Sequence, residues 1–382
     1  MIKRNLFVGA LTSFFVLSTA CRNSPKATDA DTEAVFTANT PIKSQGQIGF
    51  CWAYAAVAMI ESDYKKRTGR DLELSEEAIG FFHFTEQLKA NMDYNLKTNS
   101  KGLQLQDGGF IHGTSNQVGS KAAFALIERW GLIPESQWSE KFDANVSKSM
   151  KSIKSGFDAL QQQITGKQTS VQFNQIFPIL TKEAFASLPP VDGFNNGSGT
   201  MNAVKYAREV IGFRASNYED VFIHRGNAQI IDATLERVKK TLAAGNVVGI
   251  TISMPDEVHA QRRLMGSRFS GYSQPFGLYG AHAMVITDFK NPQGSFGPAA
   301  DVAAEVEKKI ARGFQFRLKN SWGSSTGVNE FGQTVPSGYY DMDMEYITDV
   351  LASYYPPEKP RNPGDKPPEP ISGFVNFTFP RE

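Results

Sequence analysis

The stretch CWAYAAVAMIESDYKKRT, Cys51 to Thr68, constrains the fold most, because at helical spacing it is apolar nearly all round. A helix without a polar face has to be buried, so other elements must surround it. Lys65, Lys66 and Arg67 fall in its last turn and Gly69 lies just beyond, which marks its end. LSEEAI at 74–79 has the serine-then-acid pattern of a second helix start. Helical patterns follow at Lys121–Trp130, Ser149–Thr165, Phe173–Ala186 and Leu235–Ala244. The chain then turns strand-like in NVVGITIS (246–253), AHAMVITDF (281–289), FQFRLKNSW (314–322) and SGYYDMD (337–343). Helices first and strands later predict an α+β protein of two lobes, one helical and one β-rich. At 382 residues the chain is long enough for a sizeable core.

The N-terminus has the form of an export signal. Lys3 and Arg4 precede the apolar run Leu6–Ala20, which is short for a membrane span. Cys21 follows directly, and LSTAC resembles a bacterial lipobox, although Leu17 sits four positions before the cysteine rather than three. The expectation is a signal peptide over 1–20, lipidation of Cys21 and a polar tether over 21–38; ordinary secretion or an uncleaved anchor are the alternatives. Residues 356–370 are proline-rich, and Gly373–Glu382 reads as a short aromatic tail, so 354–382 is set apart as a C-terminal tail.

The chain has two cysteines. With Cys21 lipidated, Cys51 is left unpaired in an oxidising compartment, where catalysis is the usual reason to keep a free thiol. A thiol attacks acyl carbon as the thiolate, and a helix N-terminus and an adjacent imidazolium both favour that form. Cys51 stands at the start of its helix, behind Gly46 and Gly49. Taken alone, a cysteine there is an ordinary small buried residue. Among His83, His112, His224, His259 and His282, only His282 lies in an apolar, strand-like run able to fix its ring. Taken alone it too is an ordinary core histidine. Asn320 opens NSWG 38 residues later, and its amide oxygen is suited to accept the second imidazole N–H, with Trp322 as a roof over that bond. Gln45, six residues before Cys51, is placed to aim an amide N–H at a developing oxyanion beside the Cys51 backbone N–H.

PIKSQGQIGFCWAYA, GAHAMVITDF and LKNSWG, in that order, resemble the three signature blocks of the papain-like cysteine peptidases. The resemblance implies a two-lobe papain-like fold over 39–353 acting on peptide or protein substrates. It makes Gln45 the oxyanion glutamine, Cys51 the nucleophile, His282 the general base and acid, and Asn320 the orienting residue. It also implies a substrate cleft lined by Gly108, Gly109 and Trp322. DGG and HAMVITDF lean toward the bleomycin hydrolase and aminopeptidase branch. The usual C-G-[SA]-C-[WY] signature reads Ile48-Gly49-Phe50-Cys51-Trp52 here, so the disulfide cysteine is absent and Phe50, in place of a small residue, is expected to crowd the cleft. Cys51 and His282 are 231 positions apart, against roughly 130–150 in the family, which predicts an insertion at about 139–235. A second, smaller insertion is expected near 291–312. The short stretch between Cys21 and Pro41 leads us to expect restraint of activity from the insertion or the tail rather than from a pro-domain.

A net charge of +1 gives no steering toward nucleic acid, and no metal or nucleotide motif is present, so no cofactor is implied. Asp341, Asp343 and Glu345 alternate like half a calcium loop but lack its glycine, and read as a strand face. Two other functions are compatible with the fold: a non-catalytic surface binding protein, and another thiol acyltransferase, the latter disfavoured by Asn320 where an aspartate is common. The sequence does not set the oligomeric state.

Overall fold

The computed structural model describes residues 40–46, 49–103, 120–142, 146–164, 168–254, 280–290, 315–323, 327–328, 334–335, 338–352, 354–355 and 371–381. Cys21, the Gly108-Gly109 pair, the export signal and the proline-rich stretch lie outside them.

Helix α1 spans Cys51–Thr68 and buries Ala53 through Ser62 without a break, as its lack of a polar face requires. It stops where Gly69 enters the left-handed region (φ 68°) and donates its N–H to the Lys65 carbonyl. Helix α2, Glu76–Thr98, is capped by Ser75, whose hydroxyl accepts from the Ala78 N–H at 3.2 Å. Helices α3 (Ser120–Trp130), α4 (Val146–Gln163) and α5 (Phe173–Glu183) pack around these two. Aromatic rings pack through this lobe. Phe82 and Trp130 stack at 4.5 Å, and Phe81 meets Trp138, Phe177 and Phe185 at 5.3–6.2 Å.

Phe50 corrects an expectation. It does not crowd the cleft; it is 2% exposed and packs against Phe84 and Phe142. Gly80 makes the room, since a Cβ at that position of α2 would collide with the Phe50 ring.

The second lobe is a six-stranded antiparallel sheet. Its strands are β1 (Tyr218–His224), β2 (Val248–Met254), β3 (Gly280–Lys290), β4 (Gln315–Lys319), β5 (Tyr339–Asp343) and β6 (Phe374–Pro380), in the spatial order β1-β6-β2-β3-β4-β5. Period-2 alternation serves two layers. Ala283 and Val285 of β3 join the core around α1, while Met284 and Ile286 join the core formed with α6 (Ile231–Ala243) and α7 (Met344–Ala352). Asp341 faces its cross-strand partner Arg317 in a buried ion pair of 3.1 Å, and Asp343 ends the same strand, but Glu345 corrects the reading of a single strand face because it already lies in α7.

Strand β6 overturns the reading of Gly373–Glu382 as a tail. Phe374–Pro380 lies between β1 and β2, with Val375, Phe377 and Phe379 fully buried. The Gly/Asn stretch near 191–200 is likewise more ordered than a loop: Phe194–Asn195 pairs with Thr200–Met201 in a short hairpin. Within the stretch expected as an insertion, α4 and α5 pack on α2, and Tyr218–His224 is a strand of the main sheet.

Candidate active site

The site lies where the chain segment before α1 meets the exit of β4. Residues 43–45 run antiparallel to 321–323: the Gln45 N–H donates to the Ser321 carbonyl at 2.8 Å, and the Gly323 N–H to the Lys43 carbonyl at 3.2 Å. Gly46 then turns the chain toward Cys51 with φ 64°, a conformation that strains any residue carrying a Cβ.

Cys51 is the first residue of α1, is 8% exposed and is a free thiol. Burial pushes its pKa up, and backbone hydrogen bonds from Ala283, Trp52 and Cys51 itself act the other way. The bond from Ala283 places the sulfur beside β3 at the residue following His282. Burial of this degree disfavours the charged form of the thiol.

His282 is 4% exposed, and its Nε2 lies 2.7 Å from Asn320 Oδ1. The Ser321 backbone N–H also reaches Oδ1, at 2.7 Å. A backbone N–H is only ever a donor, so this second bond fixes which end of the Asn320 amide faces the ring. The atom facing Nε2 is therefore an acceptor, and Nε2 carries the proton. Nδ1 is left as the basic nitrogen. The Trp322 indole stacks over His282 at 4.4 Å and 27°, and is held edge-on by Tyr340 at 5.7 Å. Gln45 is 9% exposed, and its Oε1 accepts from the Ser321 hydroxyl.

The structure thus brings Gln45, His282, Asn320 and Trp322 into one hydrogen-bonded and stacked group, with the Cys51 sulfur against the backbone beside His282. Sequence reasoning missed Ser321. The residue stood in plain view inside NSWG, but nothing in the sequence signalled that its three polar groups would each be used. The other described histidines stand apart from this group. His83 sits edge-on to Trp52 at 4.8 Å, its pKa lowered to about 4 by burial, and His224 caps the turn at Gly226.

Beneath the site lies a buried ionic cluster. The Lys43 ammonium meets Glu76 at 3.0 Å, Glu135 at 2.9 Å, Glu61 at 3.4 Å and the Leu74 carbonyl at 2.8 Å. Burial opposes its charge, but Glu76 and Glu61 outweigh burial and hold its pKa above the ordinary lysine value. Lys319 donates to Thr40, and burial lowers its pKa to about 8. Burial raises Glu76 to about 8, against the pull of Lys43. Lys43 is two residues before Gln45 and Lys319 is one before Asn320, so the cluster anchors both backbones of the site. Among the described residues, no group of acidic, histidine or cysteine side chains is placed to hold a metal ion.

A sequence model of the family described as papain family cysteine protease matches residues 24–79, the segment that contains Gln45 and Cys51. Cathepsin K of Gallus gallus and caricain of Carica papaya are each 50% identical to the chain over 40 residues, and a senescence-specific cysteine protease of Oryza sativa subsp. japonica is 52% identical over the same length. The match spans 10% of this chain and 12% of each relative. The crystal structure of PepW from Lactobacillus rhamnosis superposes with a TM-score of 0.52 over 91% of this chain and 82% of its own, at 14% identity. At that identity the likeness is one of fold. The fold is therefore similar to that of PepW, and the segment that carries Cys51 is similar to the papain family cysteine proteases.

Proposed function

We propose that the protein is a thiol peptidase that hydrolyses peptide bonds through Cys51 and His282. The observation that carries this reading is the His282–Asn320 bond under Trp322, which leaves Nδ1 as the base beside the helix that bears the thiol. In the proposed cycle the Cys51 proton passes to Nδ1, and the thiolate attacks the substrate carbonyl carbon. The Gln45 amide and the Cys51 backbone N–H stabilise the oxyanion, the second being one of the donors that a helix N-terminus leaves without a helical partner. The imidazolium then protonates the leaving amine. Water, deprotonated by His282, releases the acyl group from sulfur.

Labelling with a thiol-directed peptidyl epoxide tests the reading. Covalent capture by the wild type and none by Cys51→Ala is the expected result, and equal labelling of both would overturn it. The same experiment separates this reading from a non-catalytic binding protein, which gains nothing from a reactive thiol. Gln45→Ala is expected to lower kcat by roughly 10²–10³-fold with little change in KM, as loss of one oxyanion donor does. Steady-state kinetics decide: a change confined to KM would reduce Gln45 to a binding residue.

The lipobox-like LSTAC leads us to propose further that the enzyme works outside the cytoplasm, held to a membrane through lipid on Cys21. Incorporation of labelled fatty acid by the wild type and not by Cys21→Ser is the expected outcome. Equal incorporation would remove the anchor from the proposal.

A further inference from the structure

We infer that Glu77 holds a proton and, through the Tyr54 hydroxyl, ties the Ser44 carbonyl to α1, which makes Tyr54 a positioning residue for the chain that carries Gln45. The inference rests on the thiol peptidase reading and names two residues to which that reading gives no part. Residues 43 and 45 spend their backbone on 321–323, so the backbone groups of Ser44 between them face the other way. There the Ser44 carbonyl meets the Tyr54 hydroxyl at 3.0 Å. Tyr54 stands one turn after Cys51 on α1, so this bond ties the residue before Gln45 to the helix that bears the thiol. The same hydroxyl lies 3.0 Å from Glu77 Oε1 on α2, and both side chains are buried.

A hydroxyl has one hydrogen, and a carbonyl can only accept. For the Ser44 contact to be a bond, that hydrogen points at Ser44, and the Tyr54 oxygen then faces Glu77 as an acceptor. Two buried acceptors at 3.0 Å are costly, and a proton on Glu77 turns the contact into a second bond. The chain then runs from Glu77 O–H to Tyr54 O–H to the Ser44 carbonyl. The surroundings suit the neutral acid. Burial pushes the Glu77 carboxyl up and Glu135 adds to it, while Lys141, the Tyr54 hydroxyl and the Phe142 N–H act the other way. Lys141 is exposed and 4.0 Å off, and Lys43 is taken up by Glu76, Glu135 and Glu61. Burial and the carboxyls of Glu77, Glu76 and Glu135 also push Tyr54 up, so its O–H keeps its hydrogen.

Infrared difference spectra between the wild type and Glu77→Gln read the proton directly. At pH 7 an ordinary glutamate, with a pKa of about 4.3, is ionised. The expected result is a carboxylic-acid C=O band present in the wild type and missing from the variant; loss of a carboxylate band instead would overturn the inference. Tyr54→Phe removes only the hydroxyl and is expected to lower kcat by about tenfold with KM near wild type, a fraction of the roughly 10²–10³-fold cost of losing an oxyanion donor outright. Glu77→Gln keeps an N–H donor for the Tyr54 oxygen and should stay within about twofold of wild type. Adding Tyr54→Phe to Gln45→Ala should cost less than about twofold more, because a bond that acts by placing Gln45 has nothing left to place. An unchanged kcat in Tyr54→Phe, an equal loss in Glu77→Gln, or losses that multiply with Gln45→Ala would each overturn the inference. Titration of reactive sites with the epoxide corrects every rate for any misfolded fraction. Wild-type activity in Cys51→Ala would sink the peptidase reading, and the positioning role with it. Loss of activity there together with an ionised Glu77 would sink this inference alone.

Discussion

Cys51→Ala is expected to bring peptide hydrolysis down to background, a loss on the order of 10⁶ in kcat, while the protein keeps its fold. The side chain is small, alanine is the best helix former, and α1 is already alanine-rich around it, so removing one sulfur leaves little void and no strain. What disappears is the atom that forms the acyl bond. His282→Ala should cost a similar factor, because a thiol whose pKa burial has raised has no other stated route to ionisation. Asn320→Ala should leave partial activity, since its amide holds the ring and takes no proton. Initial rates on a peptide substrate, with circular dichroism melts alongside, check all three. A purified Cys51→Ala protein that cleaves at the wild-type rate would end the proposal.

Ending the chain at Tyr355 is expected to prevent folding altogether. The last strand lies inside the sheet, paired along Phe374–Pro380 with β1 on one side and along Val375–Thr378 with β2 on the other. Removing it takes away both ladders and three fully buried apolar side chains, Val375, Phe377 and Phe379. At about 1.5–3 kcal/mol for each side chain, that loss alone reaches the range of a domain's whole net stability, about 5–15 kcal/mol. Strand β1 would also lose its place in the sheet. A gentler form is Phe377→Ala, expected to cost about 3–5 kcal/mol. Soluble yield and chemical denaturation measure both. A truncated protein with the wild-type unfolding midpoint would show that the strand is dispensable.

The contrast between β6 and α1 shows what local pattern reveals. Helix α1 announced its burial, its end at Gly69 and its chemistry within one continuous stretch, because helical contacts are local. Strand β6 reads FVNFTFP, an alternating pattern, yet it follows a proline-rich run, and its partners are about 125 and 155 residues upstream. Nothing local says that such a stretch inserts between two other strands. Phe50 failed for a related reason. Its accommodation depends on Gly80, one of 33 glycines and thirty positions away, whose missing side chain has meaning only once α1 and α2 are packed. The candidate site was easier to read because chemistry restricts residue type: base, orienting amide and roof each allow few choices. Ser321 escaped because a serine beside an asparagine carries no such restriction.

The ionic cluster under the site has a consequence for how this protein can change. Taking one member from a buried set of charges strands its partners and costs about 3–5 kcal/mol, whereas exchanging the whole set for apolar residues of similar volume is often neutral. Lys43, Glu61, Glu76 and Lys319 come from four separate elements, so no single mutational step leads from the charged arrangement to an apolar one without passing through a poorly folded intermediate. Drift at these four positions is therefore locked by the valley between two acceptable states. The backbone on either side of the site inherits that immobility, which leaves adaptation to new substrates to the residues that line the cleft rather than to those that set its frame.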